Sequence, residues 1–178
     1  LIAQCEGYLI NPNPSAFKSI RTTALNFAAG QDGVGLWGHK LVVPETGRLR
    51  GYGQMNQPSL TAFIGMLMAK KCGVKDPLLH DSIERSYAYF ATYIGRGGFK
   101  YGVHGPDDKN FNNNGMSGSA AIAMALYGDQ KGARFFAQLA AASYDRLEQG
   151  HAAHFFNPFW TPLGVAVGGP ELASEFFK

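Results

Sequence analysis

From Ser59 to Lys71 the chain is apolar almost all the way round a helix, with Leu60, Phe63, Ile64, Met66, Leu67 and Met68 leaving no polar face. Pro58 stands just before this run, Lys70 and Lys71 occupy its last turn, and Gly73 follows. Those are the marks of a helix start and stop. A helix without a polar face is a buried one. The next segment reads differently. Asp76-Pro77 opens it, and Leu79, Ile83, Tyr87, Phe90 and Ile94 recur at three- or four-residue spacing, which predicts an amphipathic helix through about Ile94. Glu84, Arg85 and Ser86 fall off that stripe. An inner, all-apolar helix is thus followed by an outer, one-sided one.

The pair recurs. Met116 to Tyr127 is small and apolar, and Gly128 ends it. Asp129 then caps an outer helix through about Tyr144, with Phe135, Phe136, Leu139 and Ala142 on its apolar side. Phe159 to Val167 is a third inner run, separated by Gly168-Gly169-Pro170 from Glu171 to Lys178. At the other end, Leu1 to Leu9 reads as the tail of an inner helix and Pro14 to Ala29 as its outer partner. The pattern predicts one all-α domain of helical hairpins at about 1–30, 58–95, 115–145 and 158–178. The connecting loops, Gln31 to Gln57, Gly95 to Asn114 and Arg146 to Asn157, return the chain to the next inner helix. Loops as long as the first two usually hold short structure of their own, and Leu41 to Leu49 reads as a small β-hairpin.

After the first outer helix comes Gly30-Gln31-Asp32-Gly33-Val34-Gly35-Leu36-Trp37-Gly38, and after the second a degenerate copy, Gly95-Arg96-Gly97-Gly98-Phe99-Lys100-Tyr101-Gly102. A recurring unit of helix, glycine-rich turn and aromatic is the signature of a repeat architecture. The inner and outer helices and the Gln-x3-Gly-x-Trp turn together resemble the α/α-toroid superfamily of terpenoid cyclases and protein prenyltransferases. Gln31, Gly35 and Trp37 match the Gln-Trp repeat of the squalene-cyclase group, with Phe27 where that repeat has an aliphatic residue. The wider pattern is similar to an uncharacterised bacterial family of the same superfamily. It is carried by Gly51-Tyr52-Gly53, Asn56-Gln57-Pro58, Ala69-Lys70-Lys71-Cys72-Gly73-Val74 and Gly150-His151-Ala152-Ala153-His154-Phe155-Phe156 ahead of Trp160. The resemblance implies a toroid fold, here a partial ring, and supplies no reaction. It also implies that Gln31, Gly35 and Trp37 are structural staples between hairpins. The Asp-rich motifs of the cyclases and the zinc ligands of the prenyltransferases do not occur, which counts against isoprenoid chemistry.

Composition sharpens this reading. Charged residues make up 16% of the chain against 46% hydrophobic, where about a quarter charged is usual. So little charge points to surface covered by the remainder of a longer chain or by a second copy. The start at Leu1, inside an apolar helical pattern, fits an excised piece of a larger protein. A net charge of +3 does not argue for nucleic acid, and no run is long and apolar enough for a membrane span. Cys5 and Cys72 sit in apolar helical contexts, as small buried hydrophobes do. A disulfide between them is permitted by number alone and says nothing of compartment.

Candidate chemistry gathers before the inner helices, where helix N-termini offer unpaired N–H groups to anionic or carbonyl ligands. Asn56 and Gln57, then Asn112, Asn113 and Asn114, then Asn157 stand there. Each has an ordinary alternative as an N-cap. His104 ends the second glycine-rich loop as His39 ends the first. His151 and His154 have a spacing that on a helix could hold a metal, but they lack the zincin glutamate and a third ligand, so no metal and no cofactor is assigned. As residues titrating near neutrality they are the candidate acid–base pair. Trp160 is the candidate aromatic platform.

Two function classes follow. The favoured one is a non-catalytic ligand- or protein-binding domain of a larger bacterial protein, in the cell envelope or secreted. The alternative is an enzyme acting on a glycan or other polar ligand. It would use His151 or His154 for proton transfer, with Asn56, Gln57, His104, Asn113, Asn114 and Trp160 as binding residues.

Overall fold

The computed structural model describes residues 1–100, 102, 105, 106, 113–150 and 154–178. Among them are eight helices and one two-stranded sheet. The helices are α1 (Ile2–Ile10), α2 (Pro14–Ala29), α3 (Asn56–Lys71), α4 (Pro77–Ala91), α5 (Asn114–Tyr127), α6 (Gln130–Ala141), α7 (Phe156–Val167) and α8 (Pro170–Phe176). The sheet pairs β1 (Val42–Val43) with β2 (Arg48–Leu49) antiparallel, Val42 opposite Leu49 and Val43 opposite Arg48. It falls inside the segment from Leu41 to Leu49 that the sequence marks as a hairpin. The chain forms two compact units, Leu1–Tyr89 and Phe90–Lys178.

Caps set several boundaries. Asn13 accepts from the Ala16 N–H at the start of α2, and Asp129 accepts from the Gly132 N–H at the start of α6. Each side chain satisfies one of the amide donors that a first turn leaves without an internal partner. Gly128 closes α5 at φ 106°, in the left-handed region that suits glycine.

In the first unit α3 is the buried helix. Its residues Ser59, Leu60, Ala62, Phe63, Ile64, Gly65, Met66, Leu67 and Ala69 are all buried, as an all-apolar run requires. α1 and α2 pack on it. Leu1 lies against Gly65 and Cys5 against Cys72, so α1 and α3 run in the same direction. α4 runs the other way along α3: Tyr89 near its end donates to Asn56, and Ser82 donates to the Met66 sulfur.

The second unit repeats this arrangement. α5 and α7 are parallel neighbours, Gly115 beside Asn157 and Gly118 beside Thr161 and Gly164, and α6 packs on both. Phe99 is the centre of an aromatic cluster, stacked on Tyr93 at 4.5 Å and on Phe136 at 5.3 Å, with Phe90 edge-on. Offset and edge-on ring pairs of this kind add to the value of burying the rings. The C-terminal helix closes a smaller cluster of Ala140, Val165 and Phe176.

Two sequence expectations need correction. Periodicity sets Ser86 off the buried stripe of α4, yet Ser82 and Ser86 are both fully buried. Their hydroxyls are bonded rather than stranded, which is what makes burying them tolerable. The apolar run from Phe159 to Val167 predicts burial throughout. Instead Asn157, Thr161, Gly164 and Val165 are buried while Phe155, Phe159 and Leu163 are 71%, 59% and 47% exposed. α7 has α5, α6 and α8 against one side, and these three residues at four-residue spacing form a row on its uncovered side.

Candidate functional site

The glycine-rich turn after α2 is densely bonded. Gln31 Nε2 donates to the Ser82 carbonyl at 3.0 Å and to Ser86 Oγ at 2.9 Å. Its Oε1 accepts two bonds from the Arg85 guanidinium, at 3.0 and 2.7 Å. Both ends of the amide are therefore used, and α2 is tied to α4. Ser86 Oγ passes the chain on by donating to the Gly35 carbonyl at 2.8 Å. Gly35 has φ 101°, and a Cβ there would lie 2.6 Å from the Arg85 carbonyl carbon, so the turn can rest on the α4 backbone only as glycine. Asp32 organises the turn from inside. Its Oδ1 accepts the N–H groups of Val34, Gly35 and Leu36, and its Oδ2 accepts from Gln54.

Trp37 closes the turn. It is 2% exposed, and its indole N–H donates to the Phe27 carbonyl at 2.8 Å near the end of α2. Its backbone N–H donates to Ser59 Oγ, and its carbonyl accepts from the Met55 N–H just ahead of α3. The second unit has the counterpart. Gly97 has φ 134°, Phe99 takes the aromatic place, and the Phe99 carbonyl accepts from Asn113 Nδ2 just ahead of α5.

The asparagines Asn56, Asn114 and Asn157 lie in the first turn of the inner helices rather than at the N-cap. Asn56 is fully buried and accepts from the Tyr89 hydroxyl at 3.1 Å. Asn114 donates to the Ser143 carbonyl at 3.1 Å and accepts from the Thr161 hydroxyl at 2.8 Å. Asn157 accepts from the Gly115 N–H at 3.0 Å and donates to the Gln149 carbonyl at 2.9 Å. The last two form a reciprocal clasp between the starts of α5 and α7. Asn157 takes a first-turn amide of α5, and α7 returns the Thr161 hydroxyl to Asn114. Gln57 is half-buried, and its backbone carbonyl accepts from Thr61.

His154 is exposed on the turn before α7, and Trp160 is half-buried with Phe159 edge-on at 5.0 Å and Phe156 tilted at 6.1 Å. His104 and His151 lie outside the described residues, as do Asn112, Asp107 and Asp108. Among the described residues no group of three His, Cys, Asp or Glu side chains is placed to hold a metal. No described helix is long and apolar enough to cross a membrane. Among the described residues, three clefts lie elsewhere. One of about 360 Å³ runs between the turn at Asp32, Gly33 and Val34 and the β-hairpin, with Arg48 and Gln54 on its wall. One of about 540 Å³ lies between Lys70, Lys75 and His80. One of about 600 Å³ is walled by Tyr144, Leu172 and Phe176.

Sequence reasoning missed Ser82, Ser86 and Arg85 as partners of the Gln31 amide, and Thr161 as the partner of Asn114. The polarity of Ser82 and Ser86 beside the stripe of Leu79 and Ile83 was the available signal. A family model described as a domain of unknown function, DUF6288, matches residues 1–178. The chain belongs to the DUF6288 family. Comparison with curated proteins and with solved structures gave no match. Membership of DUF6288 assigns no chemistry to these residues, so their roles follow from their geometry.

Proposed function

We propose that this chain is a non-catalytic binding module of the α/α-toroid type, and that the exposed row on α7 docks a further helical hairpin of the same kind. The observation that carries the reading is the row itself. Phe155, Phe159 and Leu163 are large and apolar, follow one another at one-turn spacing, and are all exposed. Apolar side chains at that spacing are what a helix presents to a neighbouring helix. Covering a Phe or Leu is worth roughly 1.5–3 kcal/mol per side chain, so leaving three open in a row is a cost that a partner would relieve.

The repeat supports the choice of occupant. In each unit a buried helix lies parallel to a helix two places away along the chain, α3 to α1 and α5 to α7. A hairpin added after α7 by the same rule sets its own inner helix against the exposed row. The low charged fraction of 16% fits a surface covered in this way. The polar residues at the helix starts also favour binding over catalysis. Asn114, Asn157 and Thr161 are engaged with one another and with loop carbonyls, which leaves them holding the frame.

The added hairpin comes either from a longer natural chain or from a second copy, and sedimentation separates the two. If a second copy supplies it, the 178-residue chain associates as its concentration rises, and a Phe159→Glu, Leu163→Glu variant stays monomeric with helicity unchanged. If a longer natural chain supplies it, the short chain is a monomer and the paired glutamates destabilise the longer chain alone. A monomer whose longer form tolerates both glutamates without loss of stability would remove the docking face and the reading with it.

A further inference from the structure

Cys5 and Cys72 are the only two cysteines of the chain, so neither has a competing partner within it. They are 67 positions apart, yet the Cys72 thiol lies 3.7 Å from the Cys5 carbonyl oxygen and donates to it. Cys5 is fully buried and Cys72 is 7% exposed. The pair sits where α1 meets the C-terminal end of α3. Cys5 is also the one buried residue of α1, whose Leu9 and Ile10 are 44% and 86% exposed. The attachment of α1 to α3 is thus concentrated at this thiol.

We propose that Cys5 and Cys72 form a redox-responsive pair that closes to a disulfide on meeting a small disulfide oxidant, stapling α1 to the end of α3. With the Cys72 sulfur already against the Cys5 backbone, side-chain rotation brings the two sulfurs to bonding geometry, since the Cβ atoms of a disulfide stand about 4 Å apart. The exchange is balanced by the oxidant. The more exposed Cys72 attacks one sulfur of the oxidant as its thiolate, and the other sulfur leaves as a thiol. Cys5 then displaces the remaining half. Two S–H bonds are lost, one S–S bond forms, and the oxidant carries away two electrons and two protons as two thiols. Burial pushes the Cys5 thiol up to about 12, with the neighbouring Cys72 adding to the shift. That places the first attack on Cys72 and makes closure wait on local opening of α1.

The closed bond spans a long loop, the case in which a cross-link restricts the unfolded chain most. The test uses the 178-residue chain, reduced, freed of reductant, and incubated folded with oxidised glutathione. Remaining thiols are then alkylated in denaturant and the intact mass is read. The expected product has lost two hydrogens, takes up no alkylating agent, and yields one peptide pair joining Cys5 to Cys72. Its thermal midpoint is higher by ~5–10 °C, and dithiothreitol reverses both changes. A Cys5→Ser variant traps glutathione on Cys72 instead. Two free thiols after exposure, glutathione on both cysteines, links only between molecules, or a disulfide that lowers the midpoint would each overturn the proposal. The wild-type mass decides the matter even if the variant fails to fold.

Discussion

Replacing Gly164 by alanine is the sharpest probe of the packing between α5 and α7. A Cβ at Gly164 would stand 2.3 Å from Gly118 Cα, 2.4 Å from its oxygen and 2.6 Å from its carbonyl carbon. All three are backbone atoms, so no side chain can swing aside. Relief requires the two helices to separate by about 1 Å, which forfeits a quarter to a half of the dispersion attraction between each pair of atoms drawn apart. The same separation stretches the Thr161–Asn114 and Gly115–Asn157 hydrogen bonds, each worth about 1 kcal/mol. Alanine regains about 1 kcal/mol of helix propensity over glycine. The net expectation is a loss of about 3 kcal/mol, at the upper end for overpacking, and a thermal midpoint lower by ~10 °C. Gly118→Ala meets the Trp160 oxygen at 2.3 Å and Thr161 Cα at 2.9 Å, and should cost a similar amount. The double variant should lose less than the sum, because one separation relieves both clashes. Gly7→Ala is the control. It lies within α1 with nothing inside 4 Å, and should be neutral or raise the midpoint slightly. Thermal melts followed by circular dichroism read all four. A Gly164→Ala midpoint at or above that of the parent would refute the close crossing.

Trp37→Ala removes a buried ring and its bond to the Phe27 carbonyl, and should lower stability by about 3 kcal/mol or more in urea unfolding; a midpoint near the parent's would refute its role as a staple. Gln31→Ala strips the bonds to Ser82, Ser86 and Arg85, and should cost about 2 kcal/mol in the same unfolding assay, because buried Ser86 loses a donor and the guanidinium loses its acceptor. The Cys5 thiol is raised in the folded chain from 9.0 to about 12. The unfolded chain therefore sheds that proton first as pH rises, and stability present below pH 9 is lost between there and about 12. The loss traceable to Cys5 should be read as a fall in stability with rising pH across that window, a slope that vanishes in Cys5→Ala.

Much of the frame was legible because helical periodicity and punctuation are local. The α3 run is apolar all round and is buried, Asp129 caps α6, and Gly128 closes α5, each for a reason contained within a few residues. What escaped depends on partners far away in sequence. Ser86 looks like a surface residue until Gln31 and Gly35 are brought against it. Asn114 and Asn157 look like N-caps, and become a clasp only when α5 and α7 lie side by side. Phe159 and Leu163 belong to an apolar run that resembles α3, and periodicity says nothing about whether a covering helix is present. The candidate site was the least legible part, since polar residues at helix starts can serve a ligand or a neighbouring helix with the same chemistry. In the described residues Asn114 and Asn157 serve neighbouring helices and loops, while His104 and His151 lie outside those residues.

The docking face on α7 is tested most directly by placing a thiol there. Phe159→Cys, made in a Cys5→Ser, Cys72→Ser background so that it is the only thiol, can be alkylated at a rate set by its exposure. The measurement compares that rate in the dilute 178-residue chain, in the same chain at high concentration, and in a chain in which a further helical hairpin follows Lys178. The account predicts fast labelling in the dilute chain and at least tenfold slower labelling in one of the other two, where a hairpin covers the row. Equally fast labelling in all three would contradict it.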